Sequence, residues 1–261
     1  MYIFDETEVF NKIKEHWTNF MKSTNSTKCV IGISGGIDST CTAALACKIF
    51  GKENVIGISL PCDEQSDIVD VMTVFDYLQI KKLDFNIGDA FHSIINGIEN
   101  NALEVTDVTK TNLPARLRMA TLYAFAQSIP GALVINTCNI SESCMGYDTL
   151  FGDNCGSYAP IQKLTKTEVR KLARYIGVPE FLVMKTPIDG LQQYSDEERF
   201  GFSYETLDNY IRNGSSCCDM VTMTSILERF NASKYKLNMV HIKGPEFDFP
   251  NHLINEYEIT T

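Results

Sequence analysis

Apolar positions along the chain fall into two alternating rhythms. Val9, Ile13, Trp17 and Phe20 recur at three- and four-residue spacing, which predicts an amphipathic helix over residues 5–22. Cys29-Val30-Ile31-Gly32-Ile33 is a short, continuous, β-branched run and predicts a buried strand. An alanine-rich helix is expected from Ser39 to Phe50, then a second strand from Val55 to Leu60. A helix over 67–79, a weaker strand over 81–86 and a helix from Ala90 to about Gly97 follow. A long helix over 112–128 precedes another buried strand, Ala132 to Asn136. Thr165 and Glu168 have the spacing of a capping box for a helix that runs to Ile176 and is ended by Gly177 and Pro179.

Strands separated by about a dozen helical residues require crossover connections, and hence a parallel sheet. The expected fold is α/β: a Rossmann-like, doubly wound parallel sheet flanked by helices, in one domain over residues 1–261, with a helical portion over about 200–261. In such sheets ligands bind at the carboxyl ends of the strands, where the strand order reverses.

Composition narrows the chemistry. Of the 261 residues, 44% are hydrophobic and 21% charged, which is ordinary for a folded domain. Lys and Arg total 23 against 33 Asp and Glu, and the net charge of -10 argues against a nucleic-acid partner. An anionic substrate would need local cations or a metal. No apolar run reaches the ~18 residues of a membrane span. Met1 to Phe10 carries Asp5, Glu6 and Glu8 where a signal peptide would be basic and then apolar. The nine cysteines include no C-x-x-C, so most are expected to serve as small core residues in a reducing, cytoplasmic setting. The four histidines, His16, His92, His241 and His252, are isolated and are expected at the surface or in caps.

The most informative stretch is Ser34-Gly35-Gly36-Ile37-Asp38-Ser39, placed directly after a buried strand and directly before a helix. Two glycines allow positive φ and let backbone N–H groups approach an oxyanion. The helix start presents unpaired N–H groups and the positive end of its dipole. Ser34 and Ser39 add hydroxyls, and Asp38 is a hard oxygen ligand suited to Mg²⁺. The lack of Gly-Lys-Ser/Thr separates the loop from a Walker A motif, and it is not a G-x-G-x-x-G fingerprint. By residue type alone a Gly-Gly turn with a helix cap stays open.

In its strand–loop–helix setting this loop resembles the pyrophosphate loop of the adenine-nucleotide alpha-hydrolase superfamily. Members of that group cleave ATP between the α- and β-phosphates. Later segments resemble the ammonia-dependent NAD synthetases: Asn112-Leu113-Pro114-Ala115-Arg116-Leu117-Arg118-Met119, Asn136-Thr137-Cys138-Asn139-Ile140-Ser141-Glu142, Gly146 through Asp153, and Leu164-Thr165-Lys166. Lys185-Thr186-Pro187, Asp189-Gly190-Leu191, Ser195 to Glu198 and Gly201-Phe202-Ser203-Tyr204 follow in that family's order, so the match spans roughly residues 30–237.

The resemblance implies ATP-dependent amidation of nicotinate-adenine dinucleotide (deamido-NAD) by ammonia. The products would be NAD, AMP and pyrophosphate, formed through an adenylated carboxylate. It implies ATP contacts at Gly32, Ile33, Ser34, Gly35, Gly36, Ile37, Asp38, Ser39, Thr137 and Lys166, with Asp38 and Lys166 catalytic. It further implies Mg²⁺ ligands at Asp38 and Glu142, and deamido-NAD contacts at Arg116, Asp153 and Lys236. A homodimer and a lid over residues 189–203 are also implied. The short stretch before the loop leaves no room for an amidohydrolase domain, so free ammonia, or ammonia from another protein, is the expected nitrogen source.

Four positions depart from the family pattern. Leu150 stands in place of a lysine, Ser157 of an aspartate, Ile188 of a small hydroxyl residue, and Tyr235 of a histidine. Three of the four lie on the dinucleotide side, which keeps open an amide ligase of the same fold acting on another carboxylate. Taken singly, Glu142 and Lys166 also suit solvated helix positions, and Arg116 and Arg118 surface ion pairs.

Overall fold

The computed structural model describes residues 2–64, 68–185, 196–214, 218–238 and 250. Ile188 and the first part of the expected lid lie outside the described residues, as do His241, His252 and most of the chain after 238.

Four strands, β1 (Lys28–Gly32), β2 (Val55–Ser59), β3 (Lys81–Asp84) and β4 (Ala132–Val134), form one parallel sheet in the order β3-β2-β1-β4. The chain adds strands outward from β1 to β3, then returns to place β4 on the other side of β1. The order therefore reverses between β1 and β4, as a doubly wound sheet requires, and a crevice opens at the carboxyl ends of those two strands.

Both faces are covered. Cys29 and Ile31 of β1 pack among side chains of α1 (Glu6–Ser23), α2 (Ile37–Phe50), α3 (Ile68–Leu78) and α7 (Lys166–Tyr175). Val30 and Val134 point the other way, against α5 (Asp107–Gln127), with α4 (Gly88–Asn100) beside it. This coverage explains the uninterrupted apolar runs: every residue of β2 is buried. A smaller core joins α6 (Ile140–Cys144), α9 (Asp196–Phe200), α10 (Tyr204–Asn213) and α11 (Met220–Ser233). The short α8 (Glu180–Val183) packs on α7 and α2.

The expected elements are present, with shifted ends. On α1 the buried face is Val9, Ile13, Trp17 and Met21, while Phe20 is half-buried and stacks on Tyr158. Helix α2 begins at Ile37, two residues before Ser39. Helix α5 begins at Asp107 rather than 112, because the Thr106 hydroxyl accepts from Thr109 N–H and caps it. Pro114 sits inside α5 rather than at its start. Strand β4 is three residues long, and Ile135 continues its direction by a parallel bridge to Tyr158. The capping box at Thr165 and Glu168 is complete. Among the described cysteines, Cys29, Cys41, Cys138 and Cys144 are buried, the other four are half-buried, and all eight are free. Burial pushes the Cys29 thiol up to about 12, the behaviour of a core residue. His16 and His92 are exposed, against Tyr158 and Asp63 respectively. No described helix is long and apolar enough to cross a membrane.

Candidate active site

The crevice at the β1–β4 reversal is a cavity of about 660 Å³. Its floor is the loop after β1. Gly35 takes φ +79°, and a Cβ there would lie 3.0 Å from Asp70 Cβ and 3.1 Å from the Val71 backbone nitrogen. Only glycine fits a left-handed bend pressed against the start of α3. The loop is internally braced: Gly36 N–H donates to Ser34 Oγ (3.3 Å), and Ser39 Oγ donates to the Gly36 carbonyl (3.1 Å). Gly36 is the N-cap of α2 and brings no side-chain acceptor, so the first-turn N–H groups are left to meet an anion in the cavity.

Beside the floor three charged side chains converge from distant parts of the chain. Lys166, at the first position of α7, is 2% exposed. Its Nζ donates to Asp38 Oδ2 at 2.5 Å and to Glu142 Oε1 at 2.7 Å, and lies 5.2 Å from the Tyr204 ring centre. Asn139, the N-cap of α6, accepts from Glu142 N–H and donates from Nδ2 to Asp38 Oδ1 at 2.9 Å. Burial works against the Lys166 ammonium, but the two carboxylates outweigh it and raise its pKa above the ordinary lysine value. Burial likewise raises the Glu142 carboxyl, opposed by Lys166 and reinforced by Asp38. The pair of carboxylates thus encloses a position that holds a cation, here the lysine ammonium. Two hard oxygen donors at the edge of an anion cradle are the set Mg²⁺ takes when phosphate oxygens and water complete its shell.

The opposite wall is the segment after α6. Lys236 donates to the carbonyls of Gly146 (2.9 Å) and Asp148 (2.6 Å), and lies 3.4 Å from Asp148 Oδ1. Asp153 accepts from Thr149 N–H at 2.6 Å and opens to the cavity. Burial raises its carboxyl, opposed by the hydrogen bond from Thr149 N–H and reinforced by Asp148. Gly156 passes so close that a Cβ there would meet the Asn136 backbone nitrogen at 2.7 Å. Asn136 also binds the carbonyls of Asp153 and Cys155.

Of the residues expected from the sequence, Gly32, Ile33, Ser34, Gly36, Ile37, Asp38, Ser39, Thr137, Glu142, Asp153, Lys166 and Lys236 line this one cavity. Gly35 turns toward α3 instead. Arg116 is exposed outside the cavity and donates from Nε to the Leu150 carbonyl at 3.2 Å. Arg118, two residues on, lines the cavity and donates to the Leu60 carbonyl at 3.0 Å. Lys185 also reaches the cavity, bound to Asp70 (2.7 Å) and to the Gly35 carbonyl (3.1 Å). No role for Lys185 or Asn139 was expected, although an N-cap Asn three residues before Glu142 was a readable signal.

Comparison with known proteins identifies the family. The NAD synthase family profile matches residues 9–240. The chain is 39% identical over 203 residues to an NH(3)-dependent NAD(+) synthetase of Pyrococcus horikoshii, covering 77% of each chain. It is 34% identical to the NH(3)-dependent NAD(+) synthetase of Finegoldia magna, over 93% of this chain and 99% of that one. Among solved structures, an NMN synthetase from Francisella tularensis superposes with a TM-score of 0.82 at 30% identity, covering 94% of this chain and 100% of that one. With its glycine loop, its lysine-bridged carboxylates and this match over most of its length, the chain belongs to the NAD synthase family.

Proposed function

We propose that the chain is a ligase that forms NAD from deamido-NAD, ammonia and ATP, releasing AMP and pyrophosphate. The observation that carries this reading is the convergence of Asp38, Glu142 and Lys166 beside the glycine loop. A nicotinate carboxylate is a poor electrophile at neutral pH, and its oxygen leaves readily only once adenylated. The loop and the start of α2 bind the phosphates through backbone N–H groups. Lys166 passes its ammonium from the two carboxylates to the phosphate oxygens and offsets the charge that builds on the leaving pyrophosphate. Asp38 and Glu142 hold Mg²⁺, which neutralises the same leaving group when bound. The Lys236 side of the cavity, with Asp153 and Arg118, holds the acid so that its carboxylate faces the α-phosphate. The carboxylate oxygen attacks the α-phosphorus and the bond to pyrophosphate breaks; ammonia then attacks the acyl carbon, the C–O bond to AMP breaks, and the nitrogen gives its extra proton to solvent.

The exposed Arg116, pinned to Leu150, serves the acceptor from the cavity rim. Helix α5, of which only Pro114 and Ala126 are buried, supplies the face for a second copy of the chain in a homodimer. The cytoplasm, with its ATP and reduced thiols, is the setting.

A second reading takes the mononucleotide counterpart as the acid. Two observations favour it: Leu150 puts an apolar side chain where the family has a cation, and the likeness to an NMN synthetase reaches a TM-score of 0.82. Incubation with ATP, Mg²⁺, ammonia and each acid, read by mass spectrometry, tests both. NAD with AMP supports the first reading; NMN with AMP and no NAD supports the second. ADP with phosphate, or no AMP from either acid, would refute both. Asp38→Ala is expected to abolish AMP and pyrophosphate formation together.

A further inference from the structure

Asp208 lies on α10, outside the cavity lining, yet it is 4% exposed and its carboxylate is aimed at the site from behind. Its Oδ1 accepts from Ser141 Oγ at 2.5 Å, and its Oδ2 accepts from Thr167 N–H at 2.7 Å. Ser141 Oγ in turn accepts from Lys166 N–H at 3.0 Å. The first-turn N–H groups of α7 are thus taken by Ser141, Asp208 and, through the cap, Thr165.

The neighbours of these contacts in sequence are the functional residues. Ser141 precedes Glu142, and Thr167 follows Lys166. One carboxylate therefore joins the start of α6 to the start of α7 and sets the spacing at which Glu142 meets Lys166. A second link between α10 and α7, the buried pair of Arg212 with Glu168 (2.6 Å), already holds the two helices together. The capping box already ends α7 properly. Asp208 is thus redundant as a helix tie, and within the first turn of α7 it serves the Thr167 N–H that the capping box leaves over. Burial also pushes its carboxyl up to about 6, so its ionised form is kept at neutral pH against a desolvation cost. A group retained against its own burial suits a role in function more than one in stability.

We propose that Asp208, acting through Ser141, is a positioning residue that aligns Lys166 and Glu142 on the triphosphate. The inference rests on the ATP-cleaving reading above and names a residue that touches neither substrate.

The test compares Asp208→Asn and Ser141→Ala with the native enzyme in four readouts. These are kcat, the KM for ATP, the KM for the acceptor, and the calorimetric Kd of a non-hydrolysable ATP analogue, with the melting temperature as a control. Asparagine keeps the shape of the side chain but would direct an N–H at Ser141 or Thr167. A displaced charge-assisted contact predicts a kcat lower by about 10- to 50-fold and an ATP KM and analogue Kd raised several-fold. The acceptor KM should stay within about twofold, and the melting temperature should not fall. Native kinetics and Kd in Asp208→Asn would overturn the proposal, as would a lower melting temperature with unchanged kinetics. If Asp208→Asn does not fold, Ser141→Ala decides: an ATP-selective loss supports the proposal, and native values overturn it. If the native enzyme releases no AMP, the parent reading fails, and the analogue Kd alone decides the role of Asp208.

Discussion

Replacing Lys166 by methionine removes the ammonium and keeps most of the packing volume. The native cluster carries two carboxylates and one cation, a formal charge of -1, and the variant would carry -2 but for Glu142, whose carboxyl, raised by burial and no longer held down by Lys166, takes up a proton. Lys166 is 2% exposed, and the side chains of Asp38 and Glu142 are 15% and 20% exposed, so water compensates little. Taking one partner from a buried ion pair costs about 3–5 kcal/mol. For a chain of this size, where 1 kcal/mol moves the midpoint by roughly 2–4 °C, that is a drop of about 10 °C at neutral pH. The vacated position is the one two carboxylates enclose, so a divalent cation should restore what the ammonium supplied. At about 100 times its Kd such an ion returns about 2.7 kcal/mol. The assay is thermal unfolding of native protein and Lys166→Met, each with and without millimolar Mg²⁺ and without nucleotide. Native protein, its site already occupied by the Lys166 ammonium, should gain little from the ion without nucleotide, whereas the variant should recover most of its loss. Equal Mg²⁺ gains in the two proteins, or a variant as stable as the native protein in chelator, would refute this account of the cluster.

Gly35→Ala forces a side chain into a φ of +79° against Asp70 and should cost about 1–2 kcal/mol of stability, measured by urea unfolding, together with a raised ATP KM. Arg118→Ala should raise the acceptor KM more than Arg116→Ala does, because Arg118 lines the cavity and Arg116 stands at the rim; the reverse order in steady-state kinetics would assign the acceptor to the rim. The Asp208 carboxyl is raised from its ordinary 3.8 to about 6, so between those pH values the native state binds more protons than the unfolded chain. Its contribution is therefore full below about pH 4 and lost as pH rises through 6, about 3 kcal/mol in all, and Asp208→Asn should flatten that slope in denaturant titrations across the range.

What the sequence could reveal followed the range of each interaction. Strands β1 and β2 were readable because burial on both faces writes itself as continuous β-branched runs, whereas β4 is only half-buried at Ala132 and Leu133. The glycine loop was readable because its requirements, positive φ and a helix start, are local. Helix α5 begins five residues before the expected 112, because Thr106 caps it well ahead of Pro114. The bridge by Lys166 joins residues 128 and 24 positions apart, and the Asp208 contacts span 67 and 41. No local pattern encodes such meetings. The family resemblance supplied Asp38, Glu142 and Lys166 as separate contacts; only the fold shows them as one ionic cluster. Arg116 and Arg118 are alike in composition, and helical phase alone sends one to the rim and the other inside.

The segment from Gly146 to Ser157 is stitched to the sheet chiefly at one end, where Gly156 lies against Asn136 and Ser157 N–H donates to the Val134 carbonyl. Between Thr149 and Asn154 its bonds run largely within itself or to α5, as with Gly152 to Thr149 and Thr149 to Asn112. Residues such as Leu150 can therefore be exchanged without disturbing any strand. The loop proposed to grip phosphate is built on the sheet, while the wall proposed to meet the acceptor includes a run of a dozen residues that enzyme engineers seeking new amides could rewrite without redesigning the fold.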